Sequence, residues 1–541
     1  MTGKKIGYLE AVSIGIGGMI GGGIFAVLGL TVMLAHGAAP LAFLIAGLIA
    51  IVTSYSYAKL SVRFPSEGGT IEFIVQAFGP GVFSAWLNTL LLASYIIMLS
   101  LYSYAFGSYG AVLTAGFEDL FVKKVLTASV IALFTVLNIF GAYIVGKAED
   151  YMVALKILIL LFFSVLGYLT ADLSKLSPSH YPHFLHVVAG GLMIFLAYEG
   201  FELIANTAGD VKDPDKTLPR AFYSAVLFVI LIYMLVALVA VGNLKYDEIV
   251  KAQDYVLAEA AKPFLGKAGF VLIGLAALIS TASAINATLY GTARISYMVA
   301  KFGQLPKIFA KRIWKGAYEG LVILAILTLI SALTFNLENI SVAGSIGFLL
   351  VFGAVNLANV KLAEHTTSSK LLSGVGAGAC FVSVVVLITH NLKMAPSSLK
   401  SSMVVIVATL IFEFFYRLIT KKRLSEFIDW KLREKEEFLD NFEKYLEPIL
   451  KAVETHFKGA EVYILDELAK GERKPANKLH IGVRVKEKMT KEQEEQGEQD
   501  IKTSAGLKPH HPLKVSFVTT ETEDKTLASR SSKKISTGTL S

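Results

Sequence analysis

Three charged residues stand inside apolar runs of membrane-helix length. Glu199 and Glu202 flank Gly200 in FLAYEGFELIA, and Lys156 interrupts EDYMVALKILILLFFSVLGYL. A charged side chain at the centre of a membrane helix costs at least ~2.5–3.5 kcal/mol. Two carboxylates in four residues therefore predict a polar cavity or a helix break, with buried polar packing as the plainer reading. Lys156 lies nine residues beyond Lys147, roughly 13–14 Å along a helix and near the midplane of a ~30 Å hydrocarbon core. An amine at that depth does not easily snorkel, and it can change its protonation as access alternates between the two sides. The plainer reading pairs it with a carboxylate.

A second signal is GIGGMIGGGIF at residues 15–25, with six glycines in eleven positions. Each glycine in a helix interior costs roughly 0.5–1 kcal/mol relative to alanine. Backbone groups at membrane depth must be satisfied, so an unwound stretch is tolerated only against protein or a water-filled cavity. A break there exposes amides and a positive helix end, which suit a carboxylate. Close helix packing through small residues is the alternative.

The elements that must position these residues are membrane spans. The chain has 541 residues, 54% hydrophobic and 17% charged, with mean hydropathy +0.58. The charged share lies below the ~25% usual for soluble domains. Twelve spans are predicted, at about 9–34, 40–60, 84–112, 125–145, 149–170, 185–208, 219–243, 268–300, 319–335, 340–361, 371–391 and 402–420. Loops on one side hold Lys4, Lys5, Lys59, Arg63, Lys147, Lys212, Lys216, Arg220, Lys307, Lys311 and Arg312, and Arg417–Arg423 adds more. Positive loops face the cytoplasm, so both termini are predicted cytoplasmic in a multi-pass cell-membrane protein surrounded by lipid. The net charge of +8 is then anchoring charge and calls for no nucleic-acid partner. The lone Cys380 excludes an internal disulfide. The start of the chain lacks a cleavable signal pattern, because its first apolar run is too long and too glycine-rich. The stretch AQDYVLAEAAKPFLG, in the connection at 244–267, is expected to lie along the outer surface.

GIGGMIGGGIF, FLAYEGFELIANTAGDVKDPDKTLPRA (195–221) and STASAINATLYGTARISYMVAKFGQLP (280–306) together resemble the amino acid–polyamine–organocation (APC) permeases over about residues 5–420. The resemblance implies an all-α polytopic LeuT-type fold. Inverted repeats would cover about 9–170 and 185–361, with two peripheral helices at 371–420. It implies a carboxylate cradle at Met19, Ile20, Gly21, Gly22 and Gly23, and an amino-group site of carbonyls at Leu196, Ala197, Tyr198 and Glu199. Relatives often carry Ser or Thr where this chain has Gly22, which leaves backbone amides alone to hold the carboxylate. Tyr198 stands for the family's aromatic gate. Lys156 matches a lysine that occupies, in proton-coupled relatives, the place of a coupling cation between spans 1 and 8. Glu199 and Glu202 are candidates for gating or a second proton site. In span 8, Ser280, Thr281, Ser283, Asn286 and Thr288 are expected to be mostly structural. No metal or cofactor is expected, and no enzymatic activity.

The leading expectation is proton-coupled import of amino acids, neutral because spans 3 and 10 read as apolar at LLLASYIIMLS and GSIGFLLVFGAVN. Sodium coupling is one alternative. An amino-acid sensor signalling through the cytoplasmic domain is another.

Beyond residue 421 the composition changes. Phe427, Ile428, Phe438, Leu439, Phe442, Leu446, Ile449, Leu450 and Val453 recur at helical spacing, and AEVYILDEL, LHIGVRV and LKVSFVTT alternate like strands. This predicts a small α+β domain over 421–525 and a disordered tail over 526–541. Residues 456–485 resemble the core of small nucleotidyltransferase domains. The Gly-Ser positions of that family fall on Asp466 and Glu467, and its two metal-binding aspartates fall on Lys478 and His480. Lys and His remove the hard oxygen ligands that Mg²⁺ needs, so a degenerate domain is implied. It would bind a nucleotide or a protein, or mediate self-association.

Overall fold

The structure, a computed structural model, describes residues 6–66, 68–79, 81–117, 119–140, 145–301, 303–311, 319–420, 443–457, 460–465, 479–485, 489–505, 513–518 and 532–535. Two compact units divide the chain, residues 1–421 and 422–541.

The first unit is helical throughout. The first span is two helices, α1 (Tyr8–Met19) and α2 (Gly23–Ala35). Then come α3 (Ala39–Arg63), the short α4 (Thr70–Phe78), α5 (Val82–Ala115), α6 (Leu120–Phe140) and α7 (Val145–Thr170). The sixth span is α8 (Phe184–Met193) followed by a 3-10 segment, Phe195–Asp210. It leads into α9 (Pro214–Asn243), the short α10 (Tyr246–Lys251) and α11 (Val256–Lys301). Last are α12 (Glu319–Thr334), α13 (Leu337–Lys361), the single turn α14 (Ala363–Thr366), α15 (Lys370–Met394) and α16 (Pro396–Thr420).

Every one of the twelve expected spans falls on one of these helices, so the chain is a polytopic all-α membrane protein. Among the described residues, nine helical stretches are long and apolar enough to cross a membrane, ten when α8 and the 3-10 segment count as one bent span. One of the nine, Gly23–Arg63, contains both α2 and α3, and α12 is shorter than a full crossing. The expected fourth span ran to residue 145, whereas α6 ends at Phe140 and Val145 already opens α7.

The helix limits follow local chemistry. Pro40 enters α3 in its first turn, where a missing N–H is harmless. Asn336 caps α13 by accepting from the Asn339 amide at 2.8 Å. Gly266, at φ 62°, kinks α11 and separates the arm Val256–Leu265 from the span proper. That arm corrects the expectation of a helix lying on the outer surface. Val256, Leu257, Ala258, Ala260 and Ala261 are buried in protein. Just before it, Asp254 forms a buried ion pair with Lys123 at 2.6 Å.

The two broken spans meet. α1 packs against both the 3-10 segment and α9. Gly18 and Gly200 bring their backbones so close that a Cβ on Gly200 would overlap the Gly18 carbonyl carbon and the Met19 nitrogen. A Cβ on Gly23 would lie 2.8 Å from the Ala197 Cβ. The glycines of the first span thus serve close packing and the break together, whereas Gly200 serves packing alone.

In the second unit, strands β1 (Val462–Leu465), β2 (Leu479–Arg484), β3 (Leu513–Val518) and β4 (Ser532–Ile535) form one sheet in the order β3-β2-β1-β4. β1 is antiparallel to β2 and β4, and β2 is parallel to β3. The helix Lys491–Ser504 makes the crossover between the parallel pair. Leu446, Ile449, Leu450 and Val453 of the helix Glu443–His456 form the core with Ile481, Val483 and Ile501. β4 corrects the expected disordered tail over 526–541, because Ser532–Ile535 pairs with β1 as an edge strand carrying two lysines. Phe427, Ile428, Phe438, Leu439 and Phe442 lie outside the described residues, as do Asp466, Glu467 and Lys478. His480 stands in β2 in register with Leu465.

Gly200→Ala is expected to destabilise the detergent-solubilised protein by about 1–3 kcal/mol, since overpacking against backbone leaves nothing free to yield. Gly209→Ala, where a Cβ meets nothing within 4 Å, is expected to unfold at the wild-type temperature. Equal thermal melts for the two variants would contradict the close crossing.

Candidate functional site

The site is built from backbone. α1 ends at Met19, and its cap Ile20 has φ −80° and ψ 41°, outside the helical region. α2 restarts from Gly22, whose carbonyl accepts the first helical bond from Ala26 at 3.0 Å. The amides of the first turn of α2 therefore have no acceptor one turn back, as at any helix start, and they present a positive end. The expected cradle residues Met19, Ile20, Gly21, Gly22 and Gly23 are all buried here.

Side chains from other spans hold the carbonyls at this break. The Tyr233 hydroxyl of α9 lies 2.6 Å from Met19 O and 3.1 Å from Ala197 O, so one donor links the two broken spans. The Ser280 hydroxyl of α11 donates to Ile20 O at 3.1 Å and also to Gly21 O. The Lys156 ammonium of α7 donates to Gly17 O at 3.1 Å, and Lys156 is 2% exposed. The lysine therefore occupies the carbonyl end of α1, where a cation complements the helix dipole. The Tyr102 ring packs against Gly22 so tightly that a Cβ there would overlap it.

The break in the sixth span corrects the expected position. The bend of 43° lies at Ile194, between α8 and the 3-10 segment, rather than at Leu196–Glu199. Ser345 of α13 fixes it by donating to Met193 O at 2.8 Å and accepting from the Leu196 amide at 3.1 Å. Leu196, Ala197, Tyr198 and Glu199 form the first turn of the 3-10 segment. Of their carbonyls, Ala197 O faces the first-span break through Tyr233. Tyr198 donates to Phe43 O at 2.9 Å and packs on the Tyr233 ring at 5.1 Å.

The two carboxylates differ. Glu202 accepts from Thr70 at 2.8 Å, from Tyr57 at 3.0 Å and from Tyr95. Glu199 turns one oxygen, Oε2, toward no protein hydrogen-bond donor. It lines a narrow cavity with Gly18, Tyr95, Thr288 and Thr292, with room for about one water molecule. In span 8, Thr281 bonds back to Ala277 O at 2.7 Å, and Asn286 accepts from Asn138 at 2.8 Å. These two are structural.

Sequence reasoning missed Tyr57, Tyr95, Tyr102, Tyr233 and Ser345. The one general signal is that a buried tyrosine hydroxyl needs a partner; the four tyrosines stand in α3, α5 and α9, apart from both broken spans.

A family model described as amino acid permease matches residues 6–413. An uncharacterized protein of Methanocaldococcus jannaschii, MJ0609, is 36% identical over 78% of this chain and 97% of its own length. The inner membrane transport protein YbaT of Escherichia coli is 34% identical over 68% of this chain and 85% of its own length. The chloroplastic cationic amino acid transporter 9 of Arabidopsis thaliana is 28% identical over 57% of each chain.

The three hydroxyls on Glu202 come from α3, α4 and α5, so this carboxylate cross-links the sixth span to its neighbours. Removing it leaves Tyr95 without its acceptor and leaves Tyr57 and Thr70 only each other, 2.7 Å apart, at ~1–3 kcal/mol for each donor stranded. Glu202→Leu is expected to melt several degrees below Glu202→Gln, which keeps an acceptor. Indistinguishable melts would show that the cross-link has no structural weight.

Proposed function

The chain belongs to the amino acid permease family and is a transporter rather than an enzyme, and on that premise we propose that it imports neutral amino acids by proton-coupled alternating access. The substrate carboxylate meets the amides at the start of α2. Its ammonium meets carbonyls at the two breaks, Met19 O and Ala197 O, where Tyr233 now donates. Zwitterion binding then needs no charged side chain, only helix ends of opposite sign. Both termini lie in the cytoplasm of a cell-membrane protein, following the distribution of Lys and Arg.

The observation that carries proton coupling is the Lys156 ammonium on Gly17 O. A protonated lysine there supplies the positive charge that another member of the fold would draw from an ion. Deprotonation removes that charge and frees the inner end of α1 to move. The hydroxyls that a sodium ion would use, those of Ser280 and Thr281, are committed to carbonyls of the break and of their own helix. The packing of α1 on the 3-10 segment and α9, and of α3 on α9, supports spans 1, 2, 6 and 7 moving as one body against the rest.

The apolar surroundings of the sixth-span break support a neutral substrate. Gly344 of α13 faces Leu196 and Ile97, with a Cβ there lying 2.8 Å from Leu196 Cδ1 and 3.3 Å from Ile97 Cγ2. A substrate side chain at this wall meets hydrocarbon.

In proteoliposomes, Lys156→Ala is expected to lose the response of amino acid uptake to an imposed pH gradient, or to lose uptake altogether. A wild-type pH response in that variant would remove the coupling role. In counterflow with a panel of labelled amino acids, small or apolar neutral ones are expected to exchange at least tenfold faster than arginine or lysine. Preferential exchange of the cationic pair would overturn the neutral assignment.

A further inference from the structure

Glu199 and Glu202 stand one turn apart on a 3-10 segment, where side chains three residues apart eclipse one another. Both are buried, at 2% and 1% exposure. Their surroundings are opposite. Glu202 is saturated by three hydroxyl donors. Glu199 Oε2 has no protein partner, and Glu199 lines a cavity of water size. Across that cavity stands Thr292 of α11, 1% exposed, whose hydroxyl also has no protein hydrogen-bond partner. Two residues with unpartnered buried polar groups thus line one small space, and such groups are costly, an uncompensated buried carboxylate most of all.

We propose that Glu199, with Thr292 across the water-sized cavity, is a second proton-binding site of this transporter, separate from Lys156. The proposal rests on the transport reading above and divides labour between the carboxylates. Glu202 is the fixed, hydrogen-bonded one, and Glu199 is the one that loads and unloads. Its proton comes from water in the cavity and returns to water, and Thr292 holds that water against the carboxyl group.

The neighbours fit a proton rather than a metal ion. The ionisable groups that face Glu199 are Glu202 on its own segment, Tyr95 and Tyr102 on α5, and Tyr233 on α9. The remaining lining comes from Gly18 of α1, Leu203, and Ala287, Thr288, Gly291 and Ile295 of α11, none of which ionises. Among the described residues, no three His, Cys, Asp or Glu side chains gather around a point that could hold a metal. Lys156 is not among the residues that line this cavity. It binds the carbonyl of Gly17, while the next residue, Gly18, borders the Glu199 cavity. The two titratable sites thus flank consecutive residues at the moving end of the first span.

Infrared difference spectroscopy on the purified full-length chain tests this without any flux measurement. The protein is stepped across pH in sodium and, separately, in choline buffer, and the carbonyl stretch of protonated carboxylic acid is followed. Wild type is expected to show a titrating band in both buffers, lost in Glu199→Gln and retained in Glu202→Gln. Glu199→Asp is expected to keep a band at a shifted frequency, which separates loss of the group from loss of the fold. A full band in Glu199→Gln, no titrating band in wild type, or a band removed by sodium at constant pH would each overturn the proposal. Lys156→Ala is expected to retain the band whatever its effect on uptake, so failure of the coupling reading and failure of this one are told apart.

Discussion

A polypeptide crossing hydrocarbon must satisfy its own N–H and C=O groups, because no solvent does so for it. This chain interrupts two spans side by side and covers carbonyls at the breaks with side chains. Four side chains from four other spans do the work: Tyr233, Ser280, Ser345 and Lys156 all bind carbonyls at or beside the breaks. Among the groups named there, the donors of α2 are left facing inward at its first turn. The asymmetry between satisfied carbonyls and presented amides is the basis on which we propose that the first-span break receives a carboxylate.

The close crossing of Gly18 and Gly200 has a mechanical consequence. Backbones in contact cannot slide without separating, so α1 and the 3-10 segment either move together or come apart as units. A short parallel bridge reinforces the first option. The Ile6 amide donates to Asp210 O at 2.9 Å, and the Lys212 amide donates to Ile6 O at 2.9 Å. The leading end of the first span is thereby tied to the trailing end of the sixth. The Lys156 ammonium binds Gly17 O on this same α1.

Much of this was legible in the sequence. Hydropathy locates the long apolar helices, and the glycine run marks the first break within the three residues, Ile20–Gly22, that separate α1 from α2. The resemblance puts the sixth break at Leu196–Glu199, beside Gly200 and just beyond the observed bend. Gly200 instead serves as the contact point with Gly18, and the bend sits at Ile194, where Ser345 takes both Met193 O and the Leu196 amide. That bond joins residues 149 apart in sequence, and no local pattern encodes it. The same limit explains the missed tyrosines. Each sits in an ordinary apolar helix, and only the tertiary fold says whether its hydroxyl finds Glu202, Met19 O or nothing. The two glutamates looked equivalent for the same reason, since their different partners come from α3, α4, α5 and α11. In the second unit, strand alternation was readable, but Ser532–Ile535 joins the sheet through pairing with a strand some seventy residues earlier, which composition does not reveal.

Two helix ends of opposite sign, one for each end of a zwitterion, form the central claim. The most direct measurement is competition against uptake of a transported amino acid by two analogues of it, the methyl ester and the deaminated acid. If amides of α2 hold the carboxylate and carbonyls at Met19 and Ala197 hold the ammonium, neither analogue competes at concentrations where the unlabelled amino acid competes fully. Full competition by either one would mean that only one end of the molecule is recognised, and the paired-break site would be wrong.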